Sequence, residues 1–244
     1  MINTYNESLF HEKIKEIYAM KTGGKTEERL EDTQWICDII AEDGEIIEIQ
    51  TANLSALTEK ARHILKSGKK LRIVHPISEI KWIELYDEDG KLIRRKKSPK
   101  KESIFDSLRG MTKICPLFLE KNLRLEVLYC ETSEIRQKTE SPCQNSTKSR
   151  RHLRDWISKG KRLERIIRKE SFDSKSDWEN LIPEKLREGF RLCELTREIK
   201  TEFGVQKAKW ANLLVWILLK MEILELYAQN GRSKIYRIAQ KPSA

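Results

Sequence analysis

The stretch ICDIIAEDGEIIEIQT, residues 36–51, decides the fold, because it holds two strand-like runs separated by a turn signal. The acidic segment EDGE, residues 42–45, predicts a turn that folds the second run back beside the first as a hairpin. Each run carries a carboxylate where alternation calls for an apolar residue, Asp38 in the first and Glu48 in the second. Because successive side chains of a strand alternate faces, Glu48 and Gln50 project together. The hairpin therefore predicts that Asp38 and Glu48 meet.

Two converging carboxylates predict a metal site. Asp38, Glu48 and the backbone carbonyl of Ile49 offer three hard oxygen ligands, the kind that Mg²⁺ and Mn²⁺ prefer. A metal ion held there activates a water and neutralises a phosphate. The Gln50 amide can hold the water by a hydrogen bond but carries no charge to stabilise hydroxide. The alternative, a polar sheet face without chemistry, stays open on this motif alone.

Around the hairpin, the first half of the chain alternates helical and strand patterns. Residues 6–20 place apolar residues at helical spacing, with Asn6 as the expected N-cap and Glu7 in the first turn. After the hairpin come a helix, a strand, a second hairpin around Asp89-Gly90, a helix and a strand, predicted within residues 55–68, 70–77, 81–96, 103–115 and 123–130. The order predicts an α/β fold, a mixed sheet flanked by helices.

The second half of the chain changes character. Residues 137–149 are polar and predict a linker, and residues 148–169 predict a basic connecting helix. Three helical patterns follow, and then a hairpin signal at Asn230-Gly231, which is the layout of a winged helix-turn-helix domain. The sequence thus predicts a first domain over residues 1–140, a linker and connecting helix over 141–169, and a C-terminal domain over 170–244.

The charge distribution indicates a polyanionic partner. The net charge is +10, and residues 136–244 hold 25 Lys and Arg against 14 Asp and Glu, whereas residues 1–135 hold 23 against 24. A basic half joined to a balanced half is typical of a DNA-binding module tethered to another activity. A solvated basic surface is the alternative. The candidate nucleic-acid contacts are Arg94, Arg95, Lys96 and Lys97 in a basic run, Lys207 and Lys209 near the start of the last long helix, and Arg232 and Lys234 at the hairpin tip.

Cysteine usage and hydropathy limit the location. The five cysteines are scattered and form no CxxC pair, so the sequence predicts neither a disulfide framework nor a zinc site, and a reducing cytoplasm fits best. No apolar run approaches the roughly twenty residues of a membrane span. We therefore expect no membrane partner.

The spacing Asp38, nine residues, Glu48-Ile49-Gln50 resembles the PD-(D/E)xK nuclease superfamily, whose restriction-endonuclease-like core has the order helix, acid-bearing hairpin, helix, strand. The chain from Asn6 to Ile77 is similar to that order. The resemblance implies that Asp38, Glu48 and the Ile49 carbonyl bind the metal and that Gln50 positions the attacking water. It further implies that Glu7 assists the metal from the first helix, as in Holliday-junction resolvases.

Two positions depart from the family pattern. Ile36-Cys37 stands where the family name has proline, which many members lack, and Gln50 stands where lysine is usual, although some active restriction enzymes use glutamine. Lys60, one step into the second helix, is a candidate displaced lysine that reaches back into the site. A solvent-facing lysine on an amphipathic helix is the alternative.

More narrowly, the segments NESLFHEKIKEIYA, IEIQT, IVHPI and RRKKSPK resemble an uncharacterised bacterial family that joins such a domain to a C-terminal winged helix. The resemblance implies a metal-dependent DNA endonuclease used in restriction, anti-phage defence or repair. The alternative is a DNA-binding or regulatory protein whose nuclease-like domain has lost activity and serves scaffolding or dimerisation, which leaves a homodimer open. The sequence identifies no protein partner.

Overall fold

The computed structural model describes residues 8–30, 33–144 and 153–240. It has a mixed α/β architecture in which a seven-stranded sheet is flanked by helices, and a smaller three-stranded sheet with further helices follows. The predicted mixed sheet flanked by helices is confirmed. No helix in these described ranges is both long and apolar enough to cross a lipid bilayer.

Three α-helices belong to the first part of the chain, namely α1 (Leu9–Thr22), α2 (Thr58–Lys66) and α3 (Ile104–Met111). Helix α1 is capped by Ser8, whose hydroxyl accepts a hydrogen bond from the His11 backbone, and it ends at Gly23, whose φ is +60°. The predicted cap, Asn6, lies outside the described residues. Helix α3 begins with a capping box in which Ser103 and Asp106 satisfy each other's backbone donors.

The main sheet has strands β1 (Lys25–Arg29), β2 (Ile36–Ile40), β3 (Ile46–Ile49), β4 (Leu71–Tyr86), β5 (Leu92–Lys97), β6 (Leu123–Gln144) and β7 (Leu153–Phe172). Their order is β1-β2-β3-β4-β6-β7, and β5 also pairs with β4. The β3–β4 and β4–β6 pairs are parallel, and the other pairs are antiparallel. Strand β1, with the sequence KTEER, is exposed throughout, which is how charged edge strands resist unwanted pairing.

Strand β4 is one continuous strand where the sequence pattern suggests two. Its first residues, 71–74, pair with β3, and residues 82–86 pair with β5 along the same edge, because β6 occupies the other edge throughout. Among the described residues, the intervening stretch 75–81 has no strand partner on that edge, and a register shift falls between Ser78 and Ile80. Beyond this gap, residues 80–97, 131–144 and 153–165 form a four-stranded extension that we name the sheet arm.

The predicted linker and basic connecting helix are wrong for the described residues. Residues 137–144 continue β6, and Leu153–Phe172 forms β7, which pairs antiparallel with β6. Residues 145–152 lie outside the description. Register shifts interrupt the β6–β7 ladder at four places, so the alternation of β7 is broken and its apolar residues fall at spacings that also suit a helix. Pairing with the free edge of β6 makes residues 153–172 a strand, because tertiary pairing outweighs the local helical preference of this segment.

The C-terminal part contains helices α4 (Lys175–Glu179), α5 (Leu192–Phe203), α6 (Val205–Ala208) and α7 (Ala211–Lys220), with strands β8 (Phe190–Arg191), β9 (Leu224–Asn230) and β10 (Ser233–Ile238). The strand order is β8-β10-β9. The predicted hairpin is present, with a two-residue loop of Gly231 and Arg232 and a φ of +58° at Gly231. Short 3-10 helices lie at Leu54–Leu57, Cys115–Leu117 and Glu184–Leu186.

Two hydrophobic cores sandwich the main sheet. The smaller one packs α1 on the sheet through Phe10, Ile14 and Tyr18. The larger one lies under α2 and α3 and continues without interruption into the C-terminal helices. Trp178 of α4 is fully buried there, with its ring centroid 5.1 Å from that of Phe118 and 4.7 Å from that of Phe172. The C-terminal part therefore shares a core with the main sheet.

Candidate functional site

The two predicted carboxylates lie where the β2–β3 hairpin stops pairing. The backbone ladder includes Ile40↔Ile46 and Ile39↔Ile47 and goes no further. At the next position, the Ile49 backbone N–H donates to Asp38 Oδ2 at 2.7 Å, and the Asp38 N–H donates to Glu48 Oε1 at 3.3 Å. Each carboxylate thus accepts a hydrogen bond from the opposite strand's backbone. Asp38 and Glu48 therefore lie close together. The two positions at which a carboxylate replaces the expected apolar residue are the positions that make these hydrogen bonds between the strands.

Lys60 reaches the same place from α2. Its Nζ donates to Glu48 Oε1 at 2.6 Å and to the Ile36 carbonyl at 2.6 Å. Both side chains are buried, with Lys60 9% and Glu48 4% exposed. The structure therefore places Lys60 inside the site, as the displaced-lysine hypothesis expects and contrary to a solvent-facing position.

His11, from the first turn of α1, contacts two of the three predicted metal ligands. Its Nε2 lies 2.8 Å from the Ile49 carbonyl oxygen and 3.4 Å from Asp38 Oδ2. A carbonyl oxygen can only accept, so Nε2 carries the proton and donates. The imidazole N–H therefore stands between the Asp38 carboxylate and the Ile49 carbonyl, the point on which a metal ligand set would converge.

The two carboxylates have opposite pKa shifts. Burial raises the pKa of Glu48 to about 7, with the Asp38 charge adding to the rise and the Lys60 charge opposing it. The pKa of Asp38 is lowered, because hydrogen bonds from His11 and the Ile49 N–H outweigh the effect of burial. Neighbouring carboxylates whose surroundings drive their pKa values apart are typical of functional sites.

Gln50 is anchored through its backbone. Its N–H donates to the Val74 carbonyl at 2.8 Å, and its carbonyl lies 2.5 Å from His75 Nδ1, which must be the donor. The other ring nitrogen of His75 then accepts from the Ser107 hydroxyl at 2.7 Å, which links Gln50 to α3. Burial lowers the pKa of His75, in keeping with a neutral ring. The Gln50 side chain is half-buried.

The predicted ligands are of the chemical kind that could hold a magnesium ion. Asp38, Glu48 and the Ile49 carbonyl supply two carboxylates and one carbonyl, and Mg²⁺ is commonly held by one or two carboxylates with water and substrate phosphate completing its shell. Within the described ranges, no group of three or more His, Cys, Asp or Glu side chains is arranged around one metal position. A metal ion held by Asp38, Glu48 and the Ile49 carbonyl would therefore need further ligands from water and from a substrate phosphate.

The remaining predicted site residues have different fates. Glu7 lies outside the described residues. Lys207 is corrected, because it is 7% exposed and its Nζ donates to the Asp106 carboxylate and, at 2.8 Å, to the Lys101 carbonyl. A buried lysine at this contact with α3 has no surface to offer a phosphate. Its position on a short helix, with its side chain bonded to Asp106 of α3, was not readable from the local sequence.

The other predicted nucleic-acid contacts are on the surface. Strand β5 is exposed along its whole length, and Lys209, Arg232 and Lys234 are exposed in the C-terminal part. Arg95 is partly engaged, since its guanidinium lies 4.4 Å from the centre of the Trp82 ring and 3.2 Å from Glu84. Their exposure leaves these basic side chains accessible from solvent.

His11 and His75 are the site residues that the sequence analysis missed. His11 lies four residues after Glu7, a spacing at which helical residues share a face, and this was the available signal. His75 gave no signal, because its role depends on α3 being folded against the end of β3.

Comparisons with known proteins place the chain in a family. Residues 8–173 match the family described as Domain of unknown function (DUF8091), a range that runs from the cap of α1 to the end of β7. The chain is 26% identical over 236 residues to an uncharacterized protein of Treponema pallidum (strain Nichols), covering 97% of this chain and 87% of that protein. No solved structure matches the chain. The protein belongs to the DUF8091 family, whose domain is the seven-stranded sheet with α1, α2 and α3.

Proposed function

We propose that the protein is a metal-dependent DNA endonuclease of the PD-(D/E)xK type. The observation that carries the proposal is the hairpin that opens at Asp38 and Glu48, with Lys60 bonded to Glu48 at 2.6 Å. Burying the Glu48–Lys60 ion pair beside the half-buried Asp38 carries a desolvation cost, which a site that uses these charges offsets. A hydrolytic site needs this combination of negative ligands and a positive group.

Each residue has a distinct task in the proposed reaction. Asp38, Glu48 and the Ile49 carbonyl hold Mg²⁺ or Mn²⁺, which supplies positive charge for the phosphate and lowers the pKa of water. Gln50 positions the attacking water by hydrogen bonding, and Lys60 supplies the positive charge that a lysine at residue 50 would give. A cation held by the metal ligands would take the space in which the His11 N–H contacts Asp38 and the Ile49 carbonyl. Glu7 assists from the residues before α1.

DNA is the proposed partner because the basic surplus lies beside this site. Residues 136–172 hold 12 Lys and Arg against 4 Asp and Glu, whereas residues 173–244 hold 13 against 10. Most of the surplus of Lys and Arg over Asp and Glu therefore belongs to residues 136–172. The sequence analysis had assigned it to the C-terminal part. Lys148, Arg150 and Arg151 lie outside the described residues, and the other nine Lys and Arg are on β6 and β7. Together with the exposed β5, these strands carry basic side chains along the sheet arm and its base.

We further propose that residues 173–240 form a winged helix that helps hold DNA. The order of helices followed by a hairpin, and the exposed Arg232 and Lys234 at its tip, support this. Helix α7 is mainly buried, and its exposed face carries Asn212, Trp216 and Lys220. DNA contact in this part is therefore assigned to the hairpin tip and Lys209, not to the face of α7.

A second candidate is a DNA-binding protein whose nuclease-like domain has lost activity. The contacts of His11 with Asp38 and Ile49 favour it, because an imidazole N–H satisfies both oxygens without a cation. Gln50 in place of lysine points the same way. In that case the domain serves as a scaffold or a dimer interface.

Cleavage tests separate the two candidates. Plasmid, linear and branched DNA are incubated with the full-length protein in Mg²⁺, Mn²⁺ or EDTA, and products are resolved by gel electrophoresis. We expect cutting in either metal and none in EDTA. Intact substrates in both metals, with binding still measurable, establish the inactive candidate.

A further inference from the structure

Lys161 of β7 lies at the base of the sheet arm, close to the candidate site. Its Nζ donates to the Ser78 hydroxyl at 3.2 Å and sits 4.9 Å from the centre of the Phe10 ring. Phe10 adjoins His11, which contacts Asp38 and the Ile49 carbonyl. The ammonium therefore lies next to the first turn of α1, the turn that also carries His11.

Lys161 donates to Ser78, whose stretch of β4 has no strand partner on its outer edge among the described residues. The loop before α3 covers that edge, and the Ser78 N–H donates to the Glu102 carboxylate at 2.9 Å. Ser78 is in the middle of the β4 stretch 75–81, between the end of the β3 pairing at Val74 and the start of the β5 pairing at Trp82. The segment leading to α3 borders this gap, since the Glu102 N–H donates to the Ser78 carbonyl and the Ser98 N–H donates to the Lys81 carbonyl. The gap thus connects the open hairpin with the basic strand β5.

The Lys161 ammonium is poorly compensated within the described chain. No carboxylate there lies within 4.0 Å of its Nζ, and the Ser78 hydroxyl is its hydrogen-bonding partner. The side chain is partly buried, and burial lowers its pKa, opposed by the more distant charges of Glu102 and Glu134. A desolvated cation without a close counter-charge destabilises a protein, so its retention indicates an anion supplied from outside.

We propose that Lys161 binds a backbone phosphate of the nucleic acid, in the gap between β3 and β5, and so holds the strand beside Asp38 and Glu48. This rests on the proposed function and adds a specific phosphate-binding residue to it. Two of the three donor hydrogens of the ammonium remain available for phosphate oxygens after the bond to Ser78. The Phe10 ring face supports the cation while the site is empty of anion.

The test measures binding without cleavage. The dissociation constant of the full-length protein for a short duplex is determined in EDTA over a series of salt concentrations. Lys161→Met is expected to weaken binding by roughly tenfold and to make the log–log salt dependence less steep by about 0.9, the contribution of one phosphate contact. The matched control is Lys159→Met, which removes the same charge from an exposed position two residues away.

Thermal unfolding of the variants without DNA distinguishes phosphate binding from a structural role. If Lys161 stabilised the fold, its replacement would lower the unfolding temperature. Lys161→Met should unfold at the same or a higher temperature than the wild type, because it removes a partly buried cation. Lys161→Arg should keep the wild-type salt slope. If Lys161→Met does not fold, Lys161→Gln is measured in its place.

The inference is overturned if the wild type binds the duplex and the Lys161 variant has the same salt slope, or if the Lys159 control loses as much slope. A wild type that binds no duplex at all overturns the proposed DNA function together with this inference. A selective loss of slope at Lys161 in a protein that does not cut DNA supports the inference and leaves the inactive candidate as the function.

Discussion

Lys60 Nζ lies 2.6 Å from Glu48 Oε1, and the pair is buried between helix α2 and the end of strand β3. Lys60→Met should lower the free energy of unfolding at pH 8 by about 3 kcal/mol, because it leaves a buried carboxylate without its partner. The double variant Lys60→Met/Glu48→Leu should recover most of this loss, since both charges are gone. Urea unfolding of the wild type, Lys60→Met, Glu48→Leu and the double variant measures the coupling free energy between the two side chains. Additive effects contradict a direct ion pair.

Removal of either hairpin carboxylate should separate cleavage from binding. Asp38→Ala and Glu48→Ala are expected to abolish metal-dependent cutting, because one remaining carboxylate does not hold Mg²⁺ against its preference for water. DNA affinity in EDTA should stay equal or become slightly tighter, since each carboxylate repels the phosphate. Glu42→Ala, an exposed acid in the same hairpin, is the control. Full activity of a folded Asp38→Ala protein moves the active site elsewhere.

Gln50→Lys tests the position that the superfamily gives to lysine. The backbone of Gln50 is held by Val74 and His75, so the new side chain should start from an unchanged position. We expect the single-turnover cleavage rate to be kept or raised, because the ammonium adds positive charge beside the attacking water. A rate at least tenfold lower would show that Lys60 already fills this role and that two ammonium groups are not tolerated.

Stability should depend on pH through His75. Burial lowers the pKa of His75 in the folded state, whereas the unfolded chain takes up the proton near pH 6.5. At His75 the unfolded state therefore binds more protons in acid, so the contribution of this residue to stability falls below about pH 6.5 with a slope of up to roughly 1.4 kcal/mol per pH unit. Glu48 contributes with the opposite sign, because its folded-state pKa is raised to about 7, so the effect of His75 is read from the difference between the variant and the wild type. Urea unfolding between pH 7.5 and 5 should show a shallower fall for His75→Asn. His63→Asn, at an exposed position, should follow the wild type.

Basic residues of the C-terminal part should differ in role according to their burial, with exposed ones affecting DNA binding and buried ones affecting stability. Arg232→Ala/Lys234→Ala should reduce the salt slope of duplex binding by up to about 1.8, the value for two phosphate contacts. Lys207→Met should leave this slope unchanged but lower the unfolding temperature, because it breaks the contact with Asp106 on α3. Salt titrations and thermal scans distinguish the two effects. A loss of slope in Lys207→Met contradicts its structural assignment.

The sequence was sufficient where local pattern and tertiary structure agree. The acid-bearing hairpin, helices α2 and α3, and the hairpin near Gly231 each combine a turn or cap signal with a regular apolar spacing. The meeting of Asp38 and Glu48 followed from the turn signal that pairs their two strands as a hairpin. The sheet class followed from the order of elements.

The sequence was insufficient where long-range pairing sets the conformation. Strand β7 has its register shifted at several bulges, so its pattern imitates a helix. Strand β1 has no apolar residue to reveal it, since both of its faces are exposed. Lys60 could be suspected but not placed, because its position depends on how α2 crosses the sheet. Contacts between distant segments, such as those of His75 and Lys207, have no local signature.

The packing of Trp178 on Phe118 and Phe172 affects when the sheet can fold during synthesis. During synthesis, β6 leaves the ribosome before β7 exists to cover its edge, and the aromatic cluster under α3 stays incomplete until α4 has emerged. Domains of many proteins fold as units while the rest of the chain is still being translated. Here the sheet cannot close early, so the nascent chain exposes unpaired strand edges and apolar surface until most of its length has been produced. A chain cut at the family boundary, residue 173, would pair β6 with β7 but would lack Trp178, so the apolar surface around Phe118 and Phe172 would stay exposed.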